Sequence, residues 1–165
     1  MKKIFILFSL TLMLGCNKGK QKPDISDKNR VEKKTYFSTE ALDEYKKKSV
    51  KYGDAQAYGY LVDNYYNSPS DYYELLPISM IMADKYNNDN ARSSIYYQMI
   101  MINNEGKLND TLFFKLNRAK QDFVVSYLID GLKNNNPGCK ALLKKITDGG
   151  YEFRSENRDV ESLLK

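Results

Sequence analysis

Histidine and tryptophan are absent from this 165-residue chain, and cysteine and proline are scarce at two and four residues. Without histidine there is no Ser–His or Cys–His nucleophile and no histidine metal site. Paired carboxylates are the catalytic resource that remains. Asp43 with Glu44, Asp84 with Asp89, and Asp159 with Glu161 are the candidates. Each lies beside lysines or at a helix end, where solvated or capping roles account for it. Asn87-Asn88-Asp89-Asn90 lacks the glycine and the spacing of a calcium loop and reads as a helix linker. Strand-like alternation is nowhere sustained. No charge of one sign dominates: 26 bases and 21 acids are interleaved, giving +5, which argues against nucleic-acid binding. We therefore expect no enzyme, no cofactor and no metal.

Long apolar runs are also missing. Ile4 to Leu14 is an apolar stretch behind Lys2 and Lys3. It is too short for a spanning helix, which needs about 20 apolar residues, and it has the length and charge order of a secretory signal. The stretch closes on Met13-Leu14-Gly15-Cys16, which resembles the lipobox of bacterial lipoproteins. That resemblance implies a signal peptide over 1–15, cleavage before Cys16, and acylation of Cys16 as a membrane anchor. The same resemblance implies that Asn17, in place of the Asp that retains such lipoproteins at the inner membrane, favours the outer membrane. Removing the two lysines of residues 1–15 lowers the charge from +5 to +3. With Cys16 taken by lipid, Cys139 has no disulfide partner and reads as a small buried residue. Asn17 to about Lys34 is polar and lacks a periodic apolar face, so residues 16–37 are expected to form a tether.

From residue 38 onwards the pattern is helical. Ser38 or Thr39 caps a first helix that ends near Gly53. A second follows Asp54, with Tyr58, Leu61, Val62 and Tyr65 on one face. Asp71 and Glu74 open a third in capping-box spacing, with Ile78, Ile81, Met82 and Tyr86 inward and Pro77 as a kink or a later start. A fourth spans Ala91 to Ile102, with Ile95, Met99 and Ile102 inward. Asp110 caps a long fifth helix to Lys133 that buries Leu112, Leu116, Ala119, Phe123 and Tyr127. A sixth carries Cys139, Leu142, Leu143 and Ile146 to Gly149-Gly150, and an amphipathic tail runs from Ser155 to Leu164.

Tyrosine is abundant, at 14 residues, with doublets at 65–66, 72–73 and 96–97. Helix neighbours sit about 100° apart, so one ring of a doublet is free to be core while the other is exposed. Tyr65, Tyr66, Tyr72, Tyr73, Tyr96 and Tyr97 are thus the candidate partner-binding residues. The helix openings Gly53-Asp54-Ala55-Gln56-Ala57, Asp89-Asn90-Ala91-Arg92-Ser93 and Asn136-Pro137-Gly138-Cys139 recur with small residues after each break. The first of these through Tyr65-Tyr66, the loop Gly106 to Asp110, and Tyr127-Leu128 through Pro137 resemble the Sel1-like branch of the tetratricopeptide-like superfamily, over about residues 53 to 150. The second period is longer than the first, which calls for an insertion in the fifth helix or the loop before it. The resemblance implies an all-α fold: a short right-handed α-solenoid of about six to seven helices over 38–165. It also implies a concave binding face. The functional expectation is a membrane-anchored lipoprotein that binds a protein or peptide partner in the cell envelope. An immunity lipoprotein that neutralises an antibacterial toxin is a narrower alternative, and a carboxylate-dependent envelope hydrolase is a third.

Overall fold

Short polar side chains set where the chain turns. In the computed structural model, which describes residues 37–67, 72–157 and 159–164, Ser38 accepts from the Ala41 amide and opens α1, Thr39–Tyr52. Gly53 closes α1 at φ 70°, a left-handed conformation that favours glycine. The ring of Tyr86 lies where a Cβ on Gly53 would stand, so packing demands glycine there as well. Asp54 accepts from the Gln56 and Ala57 amides, both at 3.0 Å, and opens α2, Ala55–Tyr66. Asn88, Asn117 and Asn136 do the same for α4 (Asp89–Asn103), α5 (Arg118–Lys133) and α6 (Pro137–Asp148). α3 spans Tyr72–Tyr86, and a short α7 spans Val160–Leu163. The expected cap Asp71, the signal segment and Cys16 lie outside the described residues.

Cross-helix bonds fix the topology. Tyr58 meets Ser79 and Tyr65 meets Glu74, so α2 and α3 run antiparallel. Gln98 meets Ser79 and Arg92 meets the Ala83 carbonyl, so α3 and α4 do too. Lys46 pairs with Glu74 and the Val50 carbonyl accepts from Tyr86, so α1 and α3 run parallel. Each helix from α1 to α6 packs on the next, while α1 also meets α3 and α4 also meets α6. The fold is all-α, with no strand among the described residues, and its stacking is compatible with a short solenoid of hairpins. α4 is central: Ala91, Ile95, Tyr96 and Ile100 are fully enclosed, and so is Gln98. No described helix is long and apolar enough to cross a membrane.

Two expectations need correction. The fourth helix begins at Asp89, before Ala91, because Asn88 supplies the cap. The long fifth helix is two pieces. Asn109, and not Asp110, caps a 3-10 turn over Asp110–Lys115, and Asn117 then starts α5 afresh. The restart resets the helical phase. α5 buries Val124, Val125, Leu128, Ile129 and Leu132, while Ala119 is exposed and Phe123 and Tyr127 are only half-buried. Pro77 lies inside α3 without ending it, on an exposed side of the helix.

Candidate functional site

The reset of α5 leaves an aromatic face at the surface. Ala119, Phe123, Ser126, Tyr127 and Asp130 follow one another at helical spacing along its outer side. Phe123 and Tyr127 pack edge to face, with ring centres 5.2 Å apart. On α3 the residues Tyr73, Pro77, Met80 and Asp84 share a side by the same spacing. Of these, Tyr73, Pro77 and Asp84 are exposed and Met80 is half-buried. The two faces meet where the Tyr127 hydroxyl donates to Asp84 Oδ2 at 3.1 Å. Burial first, then the bond and charge of Asp84, and then the charge of Asp130 push the Tyr127 hydroxyl up to about 12. It therefore remains a donor at all ordinary pH values.

Beside this face is a cleft of about 400 Å³, walled by Asp122, Phe123 and Ser126 of α5 and by Tyr151 and Arg154 of the C-terminal segment. Asp122 accepts from the Tyr151 hydroxyl at 2.7 Å and pairs with Arg118 at 2.8 Å and with Arg154. Arg118 also lies over the Tyr151 ring, 4.5 Å from its centre, and donates to the Glu152 carbonyl. Burial works to raise the Asp122 carboxyl, but the Tyr151 hydroxyl and the two guanidiniums outweigh it and hold the group below its usual range. A carboxylate occupied by three donors is a poor base; here it ties the C-terminal segment to α5 and stiffens the wall of the cleft.

The six sequence-selected tyrosines divide unevenly. Tyr65, Tyr72 and Tyr96 are core residues at 2%, 3% and 0% exposure, so their rings offer no face to a partner. Tyr65 donates to Glu74 and Tyr96 to Asp110, which explains why a phenol rather than a phenyl is buried at each. Tyr66 and Tyr97 are half-buried. Tyr73 alone is exposed, stacked on Tyr72 at 4.8 Å. The core-and-surface division of a doublet thus holds in full only for Tyr72 and Tyr73. Phe123 and Tyr127 belong on the surface face, though their spacing pointed inward.

The candidate carboxylates are not brought together. Glu44 pairs with Lys48 at 2.8 Å, Asp84 accepts from Tyr127, and Asp89 pairs with Arg92 at 2.6 Å. Asp159 and Glu161 stand exposed near the C-terminus. Among the described residues, no group of three or more acids or cysteines is placed to hold a metal ion. Cys139 is fully buried, and burial pushes its thiol up to about 11. No protein-family model, characterised protein or solved structure matches this chain.

Proposed function

We propose that this is a lipid-anchored, non-catalytic binding protein of the cell envelope, whose helical domain holds a protein or peptide partner on the outer face of α3 and α5. The observation that carries the reading is the half-buried Phe123–Tyr127 pair on the outer side of α5, beside a cleft and joined through Tyr127 to Asp84 of α3, whose outer side also exposes Tyr73 and Pro77. Aromatic residues at the surface are favoured anchors of protein interfaces. Arrays of helical hairpins lend themselves to presenting such surfaces. Cys16 supplies the anchor and the polar residues after it the spacing, up to Phe37, whose ring packs on Tyr45 and Tyr60.

A photo-crosslinking side chain at position 123, carried by the full-length protein in intact cells, tests the binding half. A discrete protein adduct at 123, missing when the same group stands at exposed Lys47, is the expected result. Identical adduct patterns at both positions sink the reading. Metabolic labelling with a fatty acid tests the anchor. Incorporation should vanish in Cys16→Ser, and label that survives this substitution rules the anchor out.

A further inference from the structure

The face just described carries two exposed carboxylates, Asp84 and Asp130. Most acids of the domain that lie near a base are matched to it: Asp43 and Glu74 with Lys46, Glu44 with Lys48, Asp89 with Arg92, Asp110 with Lys145, Asp122 with Arg118 and Arg154. Asp84 and Asp130 are not, and neither are exposed Asp63, Glu105, Glu152 and Glu156. Neither Asp84 nor Asp130 has a lysine or arginine within ion-pair distance among the described residues. The one side-chain bond to Asp84 comes from a neutral phenol, Tyr127. Asp130 lies one turn beyond Tyr127 on α5, and its charge reaches the same hydroxyl. The neighbouring bases are Lys85, Arg92 and Lys133: exposed Lys133 follows Asp130 by one turn on α5, and the charge of Arg92 also reaches the Tyr127 hydroxyl. Lys85 lies over the Tyr86 ring at 4.8 Å, and Arg92 is buried with Asp89, Asn87 and the Ala83 carbonyl.

We propose that the partner presents a cationic segment to this face: an arginine or lysine seated over Tyr127 between Asp84 and Asp130, with an adjoining apolar side chain against Phe123. The proposal rests on the binding reading of the α3/α5 face and names the chemistry that face selects. An aromatic ring flanked by carboxylates attracts a cation twice, through the ring quadrupole and through charge. A guanidinium gains most, because it stacks on the ring and offers a planar fork of donors to both acids. The Phe123 edge and the cleft of about 400 Å³ beside it take the apolar neighbour. An acidic segment would meet two unneutralised carboxylates and be turned away.

The test is a selection of random dodecapeptides displayed on phage against the full-length protein in detergent, followed by affinity measurements on the recovered peptides. Expected are peptides that pair Arg or Lys with an apolar residue. They should bind the Asp84→Asn/Asp130→Asn double variant roughly three- to tenfold more weakly, and with a flatter dependence on salt. Asparagine keeps an acceptor for Tyr127, so the ring stays placed. Binding should also weaken in Phe123→Ala and in Tyr73→Ser, whose exposed position carries little risk to folding; thermal melts confirm that each variant is folded. Neutral or acidic peptides that still lose affinity in the Phe123 and Tyr73 variants overturn the cationic partner but leave the binding face standing. No enrichment, or peptides indifferent to every variant, overturns both.

Discussion

A methyl group added at Gly131 tests the close crossing of α5 and α6. Gly131 lies on the buried side of α5, where α6 crosses it. A Cβ there would press inside van der Waals contact of Cys139 Sγ, stand 2.9 Å from Cys139 Cβ, and lie 3.5 Å from Arg92 Cδ. In an exposed helix interior, Gly→Ala stabilises by about 1 kcal/mol through backbone entropy. Here overpacking opposes that gain at about 1–3 kcal/mol. Neither Cys139, enclosed at 0% exposure, nor Arg92, held at both ends of its guanidinium, has room to yield. Gly131→Ala should therefore destabilise by about 1–2 kcal/mol, a fall of about 3–8 °C in melting temperature for a domain of this size. Chemical denaturation of the purified protein measures it. Cys139→Ala removes the sulfur that the new methyl meets. The double variant should then be more stable than the sum of the single changes predicts, with a coupling of about 0.5–3 kcal/mol. Stabilisation by Gly131→Ala, or strict additivity with Cys139→Ala, would refute the close crossing of α5 and α6.

Two further outcomes follow from buried polar groups. Ser79 Oγ donates to the Leu75 carbonyl and accepts from Gln98 Nε2 at 2.7 Å, so its 2.8 Å contact with the Tyr58 hydroxyl is a bond donated by Tyr58. Ser79→Ala strands two buried donors and should cost about 2–4 kcal/mol, whereas Gln98→Met, which also removes the unpaired Oε1, should cost less in the same denaturation assay. Cys139 gives an alkaline signature. The unfolded chain loses the thiol proton near 9.0 and the folded chain only near 11, so stability falls between those pH values, by up to about 2–3 kcal/mol. Tyr66 and Tyr96, also raised by burial, act in the same direction from about pH 10. Melts from pH 8 to 11 check this. In Cys139→Ala the first part of the decline should disappear, and an unchanged slope would contradict the burial of the thiol.

What could be read ahead of the structure was local. α1, α2 and α6 begin and end where Ser38, Gly53, Asp54, Asn136 and Gly149 place them, because a cap is decided within four residues. Ile95, Leu142, Leu143 and Ile146 are core, as their spacing required. α5 was not legible. Leu112, Leu116, Ala119, Phe123 and Tyr127 make a faultless apolar series, but they run through Asn117, whose side chain prefers to cap the Lys120 amide. Once that cap forms, the competing series Val124, Val125, Leu128, Ile129 and Leu132 buries more aliphatic surface against α4 and α6. The burial of Arg92 and Gln98 was equally invisible. Their partners Asn87, Ala83 and Ser79 come from another helix or its end, and nothing in the local pattern marks the pairing.

Asparagine and tyrosine, 15 and 14 residues, both serve the fold. Asparagine is frequent because it opens α4, α5, α6 and the 3-10 turn, and because Asn87 and Asn135 take positive φ at helix ends. Tyrosine is frequent because Tyr58, Tyr65, Tyr96 and Tyr151 each fill core volume and satisfy a polar atom across helices. Two tyrosines are exposed among the described residues, Tyr52 and Tyr73. Tyr52 stands exposed at the end of α1, where Lys51 lies over its ring. Tyr73 and the Phe123–Tyr127 pair lie on the outer sides of α3 and α5, and Tyr127 donates to Asp84 and feels the charge of Asp130, neither of which has a lysine or arginine at ion-pair distance among the described residues. Folding needs neither the exposure of Tyr73 nor the unmatched charge of Asp84 and Asp130. Both add cost or nothing to the isolated domain, and a cationic partner is what would turn them into favourable terms.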